Sequence, residues 1–185
     1  MVLGISLTTY TVVHVVLSLL GVASGVLVLL RPSASPKAWG LTTLFLATTL
    51  AASVSGLLYL LLFPRFHLGH WIGVASLLVF APTLLALYRH RLAGRWRLVW
   101  VAGATALLYL NAFIAVMQAF AKIGFLAGMP STTFVSPSLL AHLLVLAACL
   151  WLGLHALESL RPGQSATRRA RPRRAKPLRI ADRWG

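Results

Sequence analysis

Residues 5–30 read "ISLTTYTVVHVVLSLLGVASGVLVLL", running from Ile5 to Leu30 without one charged side chain. A helix of about 20 apolar residues crosses the roughly 30 Å of hydrocarbon in a bilayer. This stretch is long enough, and four others match it: Gly40–Phe63, Leu68–Tyr88, Leu98–Ala121 and Ser138–Leu160. Together they occupy most of the 185 residues, which leaves no room for a soluble catalytic domain. Soluble domains carry about 25% charged residues, whereas this chain has 10%, with 59% hydrophobic residues. Its mean hydropathy is +0.86. Barrel-type alternation is absent. The expectation is an all-α polytopic membrane protein, with a five-helix bundle over residues 1–160 and a basic tail over 161–185.

The first span reads as a retained helix and not as a secretory signal, because no basic segment precedes it and its apolar run is long. Five spans put the termini on opposite faces. Of the 17 Lys and Arg residues, all but Arg65 and Lys122 fall on one side when the first and third loops and the tail are placed together. The positive-inside rule then expects an outside N-terminus and a cytoplasmic C-terminus, in a bacterial inner membrane. The tail "RPGQSATRRARPRRAKPLRIADRWG" is rich in Arg and Pro. That composition suits a topology signal, contact with anionic lipid, or a protein partner; nucleic acid is not expected. A larger membrane complex or a homo-oligomer is a further expectation.

His14 is the anomaly within the opening stretch. Thr11, His14, Ser18, Gly21 and Gly25 recur at helical spacing and share one face. Gly21 and Gly25 form a GxxxG pattern, which lets a neighbouring helix approach. With the N-terminus outside, His14 lies about 13 Å below the outer surface at 1.5 Å per residue. His70 and His142 fall near the outer boundary, Asn111 near mid-membrane, Gln118 above it, and Lys122 at the outer edge. Thr49, Ser53 and Tyr59 rise the same way on the second span. Polar groups of several helices therefore converge on the outer half. Pro82 is expected to bend the third helix.

Three roles fit His14: an interhelical hydrogen bond, a ligand to a cofactor or metal, or ligand and proton handling. Neutral imidazole binds haem iron, copper or zinc. A bis-histidine haem b would pair His14 with His70 or His142, and copper is the alternative. There is no CxxCH for covalent haem and no HExxH for a zinc protease. The two carboxylates, Glu158 and Asp182, both lie toward the cytoplasmic side. Proton-coupled transporters commonly use buried acids, so that class is disfavoured. The lone Cys149 reads as a small packing residue.

The strings "TYTVVHVVLSLLGVASG", "LFLATTLAASVSG", "HLGHWIGVASLLVF" and "LYLNAFIAVMQAF" resemble a family of small bacterial integral membrane proteins to which no activity is assigned. The resemblance covers most of helices one to four. It implies a similar small bundle and singles out Tyr10, His14, His70, Asn111 and Gln118 as motif positions. It also implies that glutamine often replaces His142, which argues against an obligatory ligand there. The resulting expectation is a non-enzymatic membrane protein or accessory subunit. Its polar site would be built on His14 and His70 and lined by Tyr10, Asn111 and Gln118. The alternative is a carrier or channel for a small solute, quinone or lipid.

Overall fold

The computed structural model describes residues 6–32, 36–61, 67–129 and 136–160. The basic tail and the loop cation Arg65 lie outside the described residues. All regular structure among the described residues is helical: α1 (Leu7–Leu30), α2 (Pro36–Leu58), α3 (Leu68–Leu84), α4 (Trp96–Lys122), the single turn α5 (Gly124–Ala127) and α6 (Pro137–Ser159). A 3-10 turn, Tyr59–Leu61, extends α2, and a π-helical turn, Leu85–Arg89, extends α3. Among the described residues, five helices are long and apolar enough to cross a membrane. The five expected spans are therefore present, with shifted ends. The fourth begins at Trp96 instead of Leu98, because a Trp and an Arg fit inside the first turn at an interface, where their polar ends meet water.

Local chemistry sets several helix ends. The Ser6 hydroxyl accepts the Thr9 N–H at 3.1 Å and caps α1. Ser136 does the same for Leu139 at 3.2 Å, with Pro137 in the first turn of α6. α6 has no basic residue in its last turn; instead the Arg97 guanidinium, from α4, donates to the Leu160 carbonyl. That bond satisfies a carbonyl orphaned at the helix end. Pro82 sits inside α3, and the ladder beyond it widens into the π turn, where the His90 N–H reaches the Leu85 carbonyl at 3.0 Å. Pro lacks an N–H and crowds the preceding turn; a wider turn accommodates that locally. The chain then reverses through Arg91 (φ 47°), Leu92 (φ 59°) and Gly94 (φ 54°). The two non-glycine residues pay about 1–3 kcal/mol each for that left-handed backbone.

α1, α2, α3 and α4 form a closed ring in which each packs on the next, and α6 packs outside the ring on α4 and α1. Leu29, Phe45, Leu107 and Leu108 are fully buried at its centre. The α1 glycines permit the close approach that their spacing predicts. A methyl on Gly25 would lie 2.7 Å from Phe45 Cε2, and one on Gly21 would lie 3.2 Å from Asn111 Nδ2. The comparable pair on α3 divides: Gly73 abuts Leu57, while Gly69 has open space. Two further approaches were not read from sequence, Gly103 against Thr83 and Gly153 against Thr105.

Leu78, Leu144 and Leu154 stand more than 60% exposed, and other large apolar side chains cover the outside of every span. Water is a poor solvent for so continuous an apolar surface, whereas lipid tails suit it. Three buried hydroxyls are satisfied within their own helices: Thr48, Ser53 and Thr83 each donate to the carbonyl four residues back, at 2.7, 2.9 and 2.7 Å. This local bonding keeps polar side chains tolerable in hydrocarbon.

Candidate functional site

Alternating helix direction brings the start of α1, the end of α2, the start of α3 and the end of α4 to one end of the ring. A cavity of about 740 Å³ opens among them. His14, His70, Asn111, Gln118 and Lys122 all line it, with Thr11, Ser18, Ser53, Tyr59 and Ser76. Leu7, Val15, Leu19, Ile72, Leu110 and Ile114 supply apolar wall. Ligand pockets typically combine such a wall with a few convergent polar groups, within about 300–1,000 Å³. The convergence expected from sequence thus holds for four helices.

His14 is half-buried, and its partner comes from α2. Its Nδ1 lies 2.9 Å from Ser55 Oγ, and that hydroxyl donates its own proton to the Ala52 carbonyl at 3.1 Å. The Ser55 hydroxyl has one proton for two acceptors in reach; with that proton on the Ala52 carbonyl, His14 donates to Ser55 from Nδ1. Nε2 is left with its lone pair. Gly56 makes room for the ring, since a methyl there would sit 3.4 Å from His14 Cε1. Tyr59 meets the imidazole edge-on at a centroid distance of 5.8 Å and donates to Thr11 Oγ1 at 2.7 Å. Thr11 passes its proton to the Leu7 carbonyl at 2.9 Å. These contacts hold the ring in one orientation.

His70 is buried at 5% exposure, and its Nδ1 accepts the backbone N–H of His67 at 3.0 Å. In the neutral ring this assigns its proton to Nε2. With His14 donating from Nδ1, the two histidines take opposite tautomers. Asn111 Nδ2 donates to Thr49 Oγ1 at 3.1 Å, in the pocket that Gly21 leaves open. Gln118 is exposed on the cavity side of α4, and Lys122 stands in the last turn of that helix. A cation there complements the helix dipole.

Two expectations are corrected. Tyr10 does not line the cavity; it is 6% exposed and its hydroxyl donates to the Ser55 carbonyl at 2.7 Å. It packs edge-on against Tyr59 at 5.0 Å and buttresses the site from behind. His142 does not reach the cavity, because α6 packs outside the ring. Its Nδ1 donates to the Ser138 carbonyl at 2.6 Å, and its ring lies 4.4 Å from that of Phe113. Asn111 and Gln118 share the cavity with His14, yet its hydrogen bond goes to Ser55. Sequence reasoning missed Ser55, for which α2 carries no signal, and did not single out His67, which lines the cavity.

The donor set decides what a metal would meet. A neutral histidine ligates through the nitrogen that lacks the proton, and its other N–H usually donates to an oxygen. His14 has that arrangement. His70 has the reverse, since its unprotonated nitrogen is taken by the His67 N–H. A bis-histidine haem on this pair does not fit without rebuilding the start of α3. Among the described residues, no group of three His, Cys, Asp or Glu side chains converges as a metal site. No family description, curated protein or solved structure matches the chain. The class is accordingly set by fold and site: a helical protein of multi-pass membrane type, holding a polar-ended cavity within a four-helix ring.

Proposed function

We propose that this protein is a non-enzymatic integral membrane protein that binds a small lipid-soluble molecule of the quinone or lipid class, as a carrier or as an accessory subunit. The observation that carries the reading is the cavity of about 740 Å³ with apolar walls and hydrogen-bonding groups of both kinds. His14 Nε2 offers an acceptor; the Lys122 ammonium and Gln118 amide offer donors. A ring bearing carbonyl and hydroxyl groups satisfies both, and an isoprenoid or acyl chain suits the apolar wall. The cation distribution supports a cytoplasmic C-terminus with the cavity on the outer side; a bacterial inner membrane is the membrane proposed. Anionic lipid or a protein partner at the basic tail accords with its charge.

A second reading rests on the His14 tautomer alone: Nε2 as the single protein ligand of haem b or copper. Both readings are tested on one purified preparation. Short-chain ubiquinone is titrated while tryptophan fluorescence is followed, and an absorption spectrum and metal analysis are taken. The expected result is saturable quenching that weakens about tenfold in Gln118→Leu with Lys122→Leu, which removes the donors that a quinone carbonyl would meet. Unsaturable quenching identical in both proteins refutes the quinone assignment, and phospholipid exchange between vesicles then tests the lipid arm. A Soret band, or stoichiometric copper lost in His14→Phe, favours the second reading.

A further inference from the structure

A second cavity, of about 540 Å³, lies at the opposite end of the bundle. It is formed where α1 ends, α2 begins, the π turn reverses and α4 begins, with Leu160 closing one side. Its wall is apolar through residues such as Leu27 and Leu87, and it carries two cations, Arg31 and Arg91. Trp39, Tyr88 and Trp100 complete it. We infer that this cavity is a binding site for an anionic phospholipid, with the phosphate held between Arg31 and Arg91 and one acyl chain against the apolar wall.

Four observations support the assignment. Arg31 is the C-cap of α1 and Arg91 follows the π turn, so both stand where membrane spans end, at headgroup depth. Guanidinium groups pair with phosphate by charge-assisted and bidentate hydrogen bonds. The position of Arg91 is set by backbone: its φ is 47°, and the flanking His90 and Leu92 N–H groups bond back to Leu85 and Ala86 at 3.0 Å each. These bonds fix the Arg91 backbone at the rim of the cavity its side chain lines. Trp39 and Tyr88, with ring centroids 6.3 Å apart, are 45% and 52% exposed, as aromatic residues of an interfacial belt are. Trp100 is 4% exposed, and its indole N–H has no hydrogen-bond partner among the described residues. Glu158, the sole carboxylate among the described residues, does not line the cavity. Basic pockets between membrane helices bind anionic headgroups by this logic.

The full-length protein in dodecyl maltoside is titrated with palmitoyl-oleoyl phosphatidylglycerol or phosphatidylcholine, with bound lipid counted by native mass spectrometry. The wild type is expected to prefer phosphatidylglycerol about tenfold. Arg31→Gln with Arg91→Gln should abolish the preference. Arg89→Gln with Arg95→Gln should retain it, because both cations are exposed in the same region without lining the cavity. Arg168→Gln with Arg169→Gln controls for the charge of the tail. Equal binding of the two lipids by the wild type overturns the proposal, as does equal loss in either control pair. Displacement by glycerol phosphate at the lipid's own concentration also overturns it, since headgroup and chain would then not both be held. If the double variant fails to fold, wild-type tryptophan fluorescence replaces it: brominated-chain phosphatidylglycerol should quench more than brominated phosphatidylcholine, and Trp100→Phe should shrink the gap. Equal quenching counts against the site.

Discussion

Replacing Gly25 by Ala tests whether α1 is held to the ring by backbone proximity. The added methyl would lie 2.7 and 2.9 Å from Phe45 ring carbons and 3.2 Å from Leu108 Cδ1. Carbon atoms pack best at about 3.5–4.0 Å, so α1 and its neighbours must separate by close to 1 Å. The neighbours have nowhere to go: Phe45 is 0% and Leu108 1% exposed. Overpacking of this kind costs about 1–3 kcal/mol. The helix-propensity gain of Gly→Ala, about 1 kcal/mol in water, should not offset it, because a separated membrane helix is already helical. Unfolding of the purified protein in mixed micelles, titrated with sodium dodecyl sulfate and followed by circular dichroism, measures the loss. Gly40→Ala is the control, since a methyl there meets nothing within 4 Å; it should stay within about 0.5 kcal/mol of wild type. Wild-type stability in Gly25→Ala, or an equal loss in Gly40→Ala, would refute the packing argument.

Other outcomes follow from the site. Ser55→Ala strips His14 Nδ1 of its acceptor and should cost about 0.6–1.7 kcal/mol; nitrogen NMR of the ring should show the proton on Nδ1 in wild type and a tautomer mixture in the variant. A wild-type ring protonated on Nε2 would sink that assignment. Arg97→Gln should fray the end of α6 for about 1 kcal/mol, read as faster amide exchange over Ala156–Leu160, and unchanged exchange would count against the cap. His142→Gln should leave cavity ligand affinity within about twofold, because α6 lies outside the ring; a larger loss would place His142 in the site after all.

The legible part of the site was the part governed by periodicity. Thr11, His14 and Ser18 share a face by spacing alone, and alternating direction brings them level with the end of α4, so His14, His70 and the cavity's amides were readable as a group. Helical spacing did not say which hydroxyl of α2 meets His14, because Ser53 and Ser55 lie on different faces and only rotation of α2 against α1 selects between them. Nor did it say that the Tyr10 hydroxyl is already bonded, a matter of where the Ser55 carbonyl ends up.

By itself the sequence determined the number of apolar helices, their polar stripes and the uneven distribution of cations, since each depends on residues adjacent along one chain segment. Tertiary structure alone decided that α6 lies outside the four-helix ring, that His14 meets Ser55 across the α1–α2 contact, and that Arg31 and Arg91 share a cavity. Each of these depends on which faces of separate helices meet, and the order of helices along a chain leaves their order in space open.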